Sequence, residues 1–347
     1  MKPKVCWSLS LVGALFLWVG VGAGELLAAP QSSVEAAEAR AIDQMNVMMF
    51  RIKMFHQEVK STLRFTMELD LFKKYFSLPE SAHNTVDAMG VVQFSAAQVA
   101  LRQQIEAWAN LLHKQFPIGE MCLIDQTGQE HLRVVQGKVE DAHFFSDTES
   151  DSPFFAPSFM AKEGEVHVSK PYMSPDSRYW VIAYTAPVVL ANGEKPAFFH
   201  FEIPLEAYGK LLSTLDYGYA TAHQQSRKDV EEEGRYFIIS SEGLLMADSR
   251  QTISMGLPRV RARDGTDFAL EERLADYLPR PSSISSDPRF LEVVERMRKQ
   301  EGGIAHLVLA DRSYVLVFQP IPESSWSLGH LDPVGGPGFW EGARGEP

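Results

Sequence analysis

Apolar residues recur every three or four positions between residues 32 and 76, which is the spacing of one face of a helix. They are Ile42, Met45, Met49, Ile52, Phe55 and Val59. We interpret this stripe as the core-facing side of one long helix, which Leu78-Pro79 is expected to end because a residue before proline avoids helical geometry. The alternative is a dimerisation seam, since a long amphipathic helix can pair with a second copy.

A second helix is predicted from Phe94 to Phe116, after a polar connection that spans Ser81 to Gln93. Its apolar positions are Val99, Leu101, Ile105, Trp108, Leu111 and Leu112. These positions also repeat at helical spacing, so we expect them to face the core. Phe116-Pro117 ends the helix, and the first strand is predicted to begin near Glu120.

From residue 120 the pattern changes to short apolar runs that are separated by turn residues. The turns are Thr127-Gly128, Pro175-Asp176 and Asn192-Gly193. Runs of this length, rich in β-branched and aromatic residues, indicate an antiparallel sheet, and Asn-Gly is a strong hairpin signal. Ser152 to Ala161 is aromatic and compatible with a helix. We therefore predict a sheet with a short helix and a long loop across one face, which together form a pocket.

The second half of the chain repeats this opening. A strand, a turn and a strand are predicted between Arg235 and Asp248, in the same arrangement as residues 121–133. Such an internal repeat indicates two related sheet modules in tandem. Residues from Glu206 onward are predicted to be a connecting helix and a polar linker. The last two long apolar runs are predicted to form a hairpin around Asp311.

The two ends of the chain differ from the rest in composition. Lys2 and Lys4 precede an apolar run from Val5 to Gly24, which fits either a secretory signal peptide or a membrane anchor. Both interpretations predict export, with the remainder in the periplasm or tethered to the inner membrane. After residue 330 the chain is rich in Gly and Pro and is predicted to be disordered.

Charge and cysteine content exclude several classes of protein. The chain has 347 residues and a net charge of −12, which argues against nucleic-acid binding because phosphate contacts need clustered Lys and Arg. It has two cysteines, Cys6 and Cys122, so the sequence supports neither a disulfide framework nor a cysteine-based zinc site. Cys122 is expected to be a small core residue.

An ordered set of motifs then identifies a family. It consists of Ile124 to Glu130 continuing to Val134, Ser152 to Phe155, Gly164 to Ser169, Pro171-Tyr172 and Ala186 to Val188. Following two helices, this order resembles the double Cache sensor domain of bacterial signal-transduction receptors, a PAS-like extracytoplasmic fold. The resemblance implies an α+β fold class, with a long N-terminal helix followed by two tandem antiparallel-sheet modules.

The resemblance also divides the chain. The division is a signal peptide or membrane anchor (1–29), a long stalk helix and second helix (31–118), a membrane-distal module (119–205), a connecting helix and linker (206–234), a membrane-proximal module (235–330) and a disordered tail (331–347). In this family the distal module binds a small molecule and the long helix transmits the signal. We expect a non-catalytic sensory domain that lacks its own output domain, with a possible homodimer through the long helix. The alternative is a soluble periplasmic binding or scaffold protein that acts with a separate receptor.

Eight residues are candidates for ligand contact in the distal module. They are Arg133, Phe154, Phe155, Tyr172, Arg178, Trp180, Tyr184 and Glu202. A guanidinium beside aromatic rings suits a carboxylate or a planar ligand, and a glutamate suits an ammonium group. Alternation predicts that residues 178, 180, 182 and 184 share one face.

Each candidate has a structural alternative. The two phenylalanines fit the core, Arg133 fits an ion pair with a surface acid, Arg178 fits a solvated turn, and Trp180 and Tyr184 fit packing on the sheet. Amino-acid-binding members of the family carry Arg-x-Trp at the lid and Tyr-x-Asp on the following strand. This chain has Ser152-Pro-Phe-Phe155 and Tyr172-Met-Ser174 there, so the resemblance does not support an amino acid as the ligand.

Enzyme classes find little support in the sequence. His131 and His143, with Asp141 and Asp147, match no standard metal-site spacing. The chain contains no Gly-x-Ser-x-Gly elbow, phosphate-binding loop or zinc-protease helix. We therefore expect no catalysis, no metal and no cofactor.

Overall fold

The computed structural model describes residues 33–82, 85–88, 91–174, 177, 179–213, 234–250 and 279–334. The expectations for the leader (1–29), most of the linker, the turn at residues 175–176, Arg178 and residues 335–347 lie outside them. The helices are α1 (Ser33–Glu68), α2 (Asp70–Phe76), α3 (Ala96–Gln115), α4 (Phe155–Met160), α5 (Leu205–Ser213) and α6 (Pro288–Arg298). None of the helices that the structure describes combines the length and apolar character needed to cross a membrane.

The described strands form one small ribbon and two sheets. The ribbon pairs β1 (Thr85–Val86) with β2 (Val92–Gln93). The first sheet contains β3 (Glu120–Asp125), β4 (Glu130–Val135), β5 (Lys138–Val139), β6 (His167–Val168), β7 (Tyr172–Met173), β8 (Trp180–Val188) and β9 (Ala197–Pro204). The second contains β10 (Arg235–Ser240), β11 (Leu245–Asp248), β12 (Gly303–Leu309), β13 (Arg312–Pro320) and β14 (Trp326–Pro333).

The two sheets share one topology. The first runs β5-β4-β3-β9-β8-β6, with β7 also paired to β8, and the second runs β11-β10-β14-β13-β12. In each sheet the opening hairpin lies beside the last strand, and all pairs are antiparallel. Both opening hairpins also carry a bulge, after Leu123 and after Ile238. The predicted α+β fold class, with two tandem sheet modules behind a long helix, is confirmed.

Residues with positive φ lie in the turns where the chain reverses direction. Gly128, Gly193 and Gly243 adopt φ values of 89°, 84° and 80°, a region that glycine enters without steric cost. The β12–β13 hairpin turns through Ala310 and Asp311, which also have positive φ. The hairpins expected at Asn192-Gly193 and at Asp311 are therefore present.

Helix α1 lies against both sheets, because it contacts β8 of the first and β13 and β14 of the second. Met45, Ile52 and Val59 of the predicted stripe are fully buried, and the remaining members of the stripe pack against the same core. The core-facing interpretation is thus the one that the structure supports. A different face of α1 leaves Val47, Phe50 and Met54 exposed.

Two element boundaries and the burial of two residues differ from the sequence-based expectation. The first helix breaks at Leu69, whose extended backbone (ψ 125°) separates α1 from α2. Val99 and Leu111 of α3 are exposed, because they lie at the edge of the helix face that packs on the sheet. Strand β14 continues through Pro333, past the predicted start of the disordered tail, because Asp332 forms an ion pair with Arg40 at 2.7 Å.

A buried junction joins α1, the first sheet and the second sheet. The Tyr184 hydroxyl on β8 hydrogen-bonds His56 Nδ1 of α1 and lies 2.9 Å from the Tyr208 hydroxyl of α5. Trp326 of β14 packs edge-on against Tyr208, with ring centroids 5.4 Å apart, and 5.9 Å from the His56 ring. Burial, reinforced by the charge of Lys60 and opposed by Glu323, lowers the pKa of His56 to about 4.

We expect this junction to make the fold sensitive to acid. His56 stays neutral in the folded chain down to about pH 4, whereas it protonates near pH 6.5 when unfolded. The unfolded state therefore binds more protons within this window, and stability falls as the pH drops from about 6.5 to 4, by up to about 3 kcal/mol. In urea unfolding across this range, His56→Gln should flatten the dependence on pH. His143→Gln, at an exposed position, should leave the dependence unchanged; equal slopes for the wild type and His56→Gln would contradict the prediction.

Candidate functional site

The two faces of the first sheet have different partners. Side chains alternate across a strand, so β8 directs Ile182 and Tyr184 to one face and Val181 and Ala183 to the other. Ile182 and Tyr184 join the main core with α1, on what we call the inner face. Val181 and Ala183 join a separate small core on the opposite, outer face, which also contains Phe154.

The chain from residue 141 to residue 161, which ends with α4, lies over the outer face, and we call it the lid. Helix α4 contacts β8 and β9, and Phe154 just before it is only 2% exposed. The Phe154 ring stacks on His200 with centroids 4.7 Å apart and lies 5.5 Å from the Tyr172 ring. Phe155 packs edge-on against Phe198 at 5.7 Å. The short aromatic helix predicted for this segment therefore lies over the sheet.

Polar contacts fasten the lid to the strands beneath it. The Ser158 hydroxyl of α4 donates to Thr185 Oγ1 at 2.7 Å. Lys195, in the β8–β9 turn, donates to the carbonyl oxygens of Phe159 and Ala161 at 2.8 and 2.6 Å. These bonds hold the second half of α4 against the outer face.

Six polar side chains lie under or beside the lid, on the outer face of three neighbouring strands. This outer-face cluster consists of Glu120, Cys122, Glu130, Arg133, His200 and Glu202, all of them buried. Cys122 in β3 lies opposite Arg133 of β4 and opposite His200 of β9, and Glu120 lies opposite Glu202. The bulge after Leu123 places Glu130 opposite Ile124, which brings that carboxylate onto the same face.

Cys122 lies between two of the carboxylates. Its Sγ is 3.2 Å from Glu120 Oε1 and 3.0 Å from Glu130 Oε1. Burial, together with the charges of Glu130 and Glu120, raises the pKa of the Cys122 thiol well above its ordinary value. Burial also raises the pKa of Glu130 to about 7, although Arg133 and the thiol oppose the shift.

Arg133 is held by protein groups. Its Nε lies 3.3 Å from Glu120 Oε1, its Nη1 lies 3.7 Å from Glu130 Oε2, and Nη1 donates to the Phe144 carbonyl at 2.6 Å. Arg133 therefore does form an ion pair, as its structural alternative proposed, but with buried carboxylates and not with a surface acid. A buried guanidinium between two carboxylates balances one negative charge at most.

Glu202 is bound by hydroxyl groups. The Tyr172 hydroxyl donates to its Oε1 at 2.5 Å, and the Ser177 hydroxyl donates to its Oε2 at 3.4 Å. The neighbouring Ser174 hydroxyl donates to Glu120 Oε2 at 3.3 Å. Burial and the adjacent Glu202 raise the pKa of Tyr172 well above its ordinary value, so Tyr172 remains a hydrogen-bond donor.

The eight sequence candidates separate into two groups. The structure brings Arg133, Phe154, Tyr172 and Glu202 together on the outer face, with Phe155 in the lid above them. Trp180 and Tyr184 share a face as alternation predicted, but it is the inner face, where both belong to the core with α1. They therefore lie apart from the outer-face cluster, because side chains two positions apart on a strand share one face. Arg178 lies outside the described residues.

Four members of the cluster were missed by the sequence analysis. Cys122 and His200 lie between apolar residues, within runs that predict core strands, and Glu120 begins such a run. Glu130 lies between Gln129 and His131, just after a predicted turn. A signal was available: Glu120 and Cys122 on β3, and His200 and Glu202 on β9, are each two positions apart and therefore share a face. The placement of Glu130 depends on the bulge, which the sequence does not reveal.

Solved structures with the same fold are sensory domains. The ligand-binding domain of the Campylobacter jejuni chemoreceptor Tlp3, in complex with 4-methylisoleucine, superposes with a TM-score of 0.55 at 12% identity, over 88% of this chain and 94% of that one. The extracellular domain of the putative histidine kinase vpHK1S-Z8 gives 0.56 at 10% identity, over 90% and 96%. A domain of a putative sensory box/GGDEF family protein from Vibrio parahaemolyticus gives 0.54 at 11%, over 87% and 97%.

No family model matches the chain, and neither does any curated protein. At identities of 10–12%, the structural similarity shows the shared fold. The resemblance to double Cache sensor domains is confirmed at the level of the fold.

Proposed function

We propose that this chain is an extracytoplasmic, non-catalytic sensory domain that binds a small organic molecule at the outer face of its first sheet. The observation that carries the proposal is the set of buried polar side chains beneath the lid. An apolar core gains nothing from buried glutamates and a histidine, so such groups are retained mainly where they bind something. The shared fold with ligand-binding sensory domains supports the same proposal.

The charges of the site favour a ligand that carries an ammonium group. Within the described part of the chain, Glu120 and Glu130 share one guanidinium, that of Arg133, which also donates to the Phe144 carbonyl, and Glu202 is bound by hydroxyl groups. Tyr172 and Glu202 offer a hydroxyl and a carboxylate at the edge of the cluster. The Campylobacter receptor domain was solved with L-norvaline and L-valine, which both contain an ammonium group. The ligand proposed here is an organic amine, and the lid sequence does not support an amino acid.

A thermal-shift screen of amines, organic acids and purines tests this proposal. Amines should raise the melting temperature by mass action, and the other classes should not. Glu202→Gln should weaken amine binding by about 10- to 100-fold, because a charged hydrogen-bond partner is worth about 1.5–3 kcal/mol. Tyr172→Phe should weaken it by about 10-fold.

Tyr184→Phe is the matched control, because Tyr184 is also a buried tyrosine of the first sheet but lies on the inner face. It should leave amine affinity unchanged. A response to organic acids alone would contradict the amine ligand. Equal amine affinity in the Tyr172→Phe and wild-type chains would show that the binding site is not on the outer face.

An Asp–His–Tyr hydrogen-bond chain, a combination that some enzymes use, lies on the other side of the sheet. Asp125 Oδ2 lies 3.1 Å from His131 Nε2, and His131 Nδ1 lies 3.0 Å from the Tyr75 hydroxyl. His131 is fully buried beneath α2, and Asp125 accepts three further bonds within its own turn. This geometry suits a structural link between α2 and the β3–β4 hairpin rather than access to a substrate.

For self-association, we propose pairing of α1 with the α1 of a second copy. The seam is not the methionine stripe, which is buried, but the exposed set Val47, Phe50 and Met54. These positions are three and four residues apart on a 36-residue helix, the repeat at which two helices interlock. A two-fold axis would place the same patch of each copy against the other.

Phe50→Ser should shift the chain from dimer to monomer in sedimentation equilibrium, because it removes the largest exposed side chain of the seam. Phe144→Ser provides a matched control, since both phenylalanines are 63% exposed and Phe144 lies on the lid. A dimer that survives Phe50→Ser, or one that Phe144→Ser disrupts, would place the interface elsewhere.

Export is the remaining part of the proposal, and its signal lies in residues 1–29. An alkaline phosphatase fusion after residue 334 should be active, because this enzyme matures only outside the cytoplasm. Deleting residues 1–29 should abolish that activity while the fusion protein still accumulates. N-terminal sequencing of the membrane fraction would then show whether Met1 is retained as part of an anchor. An inactive full-length fusion would contradict export.

A further inference from the structure

The geometry points to a binding site for a thiophilic divalent cation, of the Zn²⁺ type, among Glu120, Cys122 and Glu130, with His200 on the neighbouring strand beside them. One donor atom from each of the first three residues lies within 4.8 Å of the other two, and all three residues are buried. This site goes beyond the proposed function, because an amine would be held at the Glu202 and Tyr172 side of the cluster.

The spacing of these donor atoms is close to that of a metal coordination sphere. Zn²⁺ binds thiolate at about 2.3 Å and carboxylate at about 2.1 Å, so two such ligands on a tetrahedral ion are about 3.6 Å apart. Cys122 Sγ is 3.2 Å from Glu120 Oε1 and 3.0 Å from Glu130 Oε1. Outward shifts of a few tenths of an ångström would bring these three donors to coordination distance.

His200 supplies an independent observation. It is 2% exposed, and neither of its ring nitrogens has a hydrogen-bond partner within the part of the chain described by the structure. It lies directly opposite Cys122, and side chains at such positions have Cβ atoms about 4.5–5.5 Å apart. Its Nε2 lies 3.8 Å from Glu202 Oε1, so the imidazole would rotate about its side-chain bonds to reach an ion bound by Cys122. A buried imidazole without a partner is costly, and coordination of a cation would remove that cost.

The balance of charge supports a cation at this place. Among the described residues, three ionised glutamates and the thiolate that forms when a metal displaces the Cys122 proton carry four negative charges, and Arg133 supplies one positive charge. A divalent ion leaves one negative charge, which Glu202 holds among its hydroxyl donors. Arg133 contacts Glu120 Oε1, the oxygen nearest to the sulfur, so the ion would share that carboxylate with the guanidinium.

The donor set also identifies the class of metal. Thiolate and imidazole together favour zinc and neighbouring transition metals over Mg²⁺ and Ca²⁺, which prefer oxygen ligands alone. The Phe154 ring covers His200 and separates it from solvent. The bound ion would link β3, β4 and β9, and its role would be structural rather than catalytic.

Cobalt substitution gives a direct test on the full chain, purified in mild detergent and stripped with chelator. Co²⁺ bound to a thiolate shows a sulfur-to-metal charge-transfer band in the near ultraviolet, which carboxylates alone do not produce. We expect this band in the wild-type chain, and we expect Zn²⁺ to displace it and to raise the melting temperature.

The two cysteines of the chain form a matched pair of variants. Cys122→Ser should abolish the band and weaken Zn²⁺ binding by at least ~10-fold, whereas Cys6→Ser should leave both unchanged. His200→Gln should weaken Zn²⁺ binding similarly and shift the visible Co²⁺ spectrum. If Cys122→Ser does not fold, as judged by circular dichroism in chelator, His200→Gln and Glu130→Gln provide the same test.

Absence of the band in the wild-type chain, or a band that Cys6→Ser removes and Cys122→Ser retains, overturns the site. Amine binding measured in chelator separates this inference from the proposed function. Amine binding without Zn²⁺ binding rejects the metal site and leaves the sensory proposal intact. Zn²⁺ binding with no response to amines supports the metal site and rejects the amine ligand of the proposed function.

Discussion

Burial of one face of α1 against two separate sheets is the interaction on which the rest of the structure depends. Ala41 and Met45 are fully buried near the second sheet, and Val59 and Leu63 are fully buried farther along the helix. Each large apolar side chain contributes about 1.5–3 kcal/mol when fully buried. Two ion pairs to the second module, Arg40 with Asp332 and Lys60 with Glu323, fix the position of the helix along its axis.

The junction of His56, Tyr184, Tyr208 and Trp326 is a consequence of that arrangement. Here the inner face of the first sheet, α5 and the last strand of the second sheet meet on a single turn of α1. Close-packed interiors transmit small displacements rather than absorb them. The outer and inner faces of the first sheet share the backbone of β8, so the lid side and the junction are physically continuous through that strand.

The inner face of the first sheet buries mainly apolar side chains, but the outer face also buries charged and polar ones. Ile182 and Tyr184 pack in the main core on the inner face, whereas the outer face of β3, β4 and β9 buries carboxylates, an imidazole and a thiol. Burying unbalanced charge destabilises the fold, and proteins retain such arrangements mainly at functional sites. Both the amine proposed at Glu202 and the cation proposed at Cys122 would offset this excess of negative charge.

The sequence by itself determined the order of the elements, the two related modules and the burial of the methionine stripe. These follow from periodicity and turn chemistry, which are local: Met45 and Ile52 share a helix face, and Asn192-Gly193 reverses the chain wherever it occurs. The sequence also supplied Tyr172 and Glu202 as binding candidates. Only the tertiary structure decided which face of β8 meets α1, and thereby moved Trp180 and Tyr184 away from the site. It also decided that Glu120, Cys122, Glu130 and His200 converge, because strand register and a bulge join residues that are far apart in the chain.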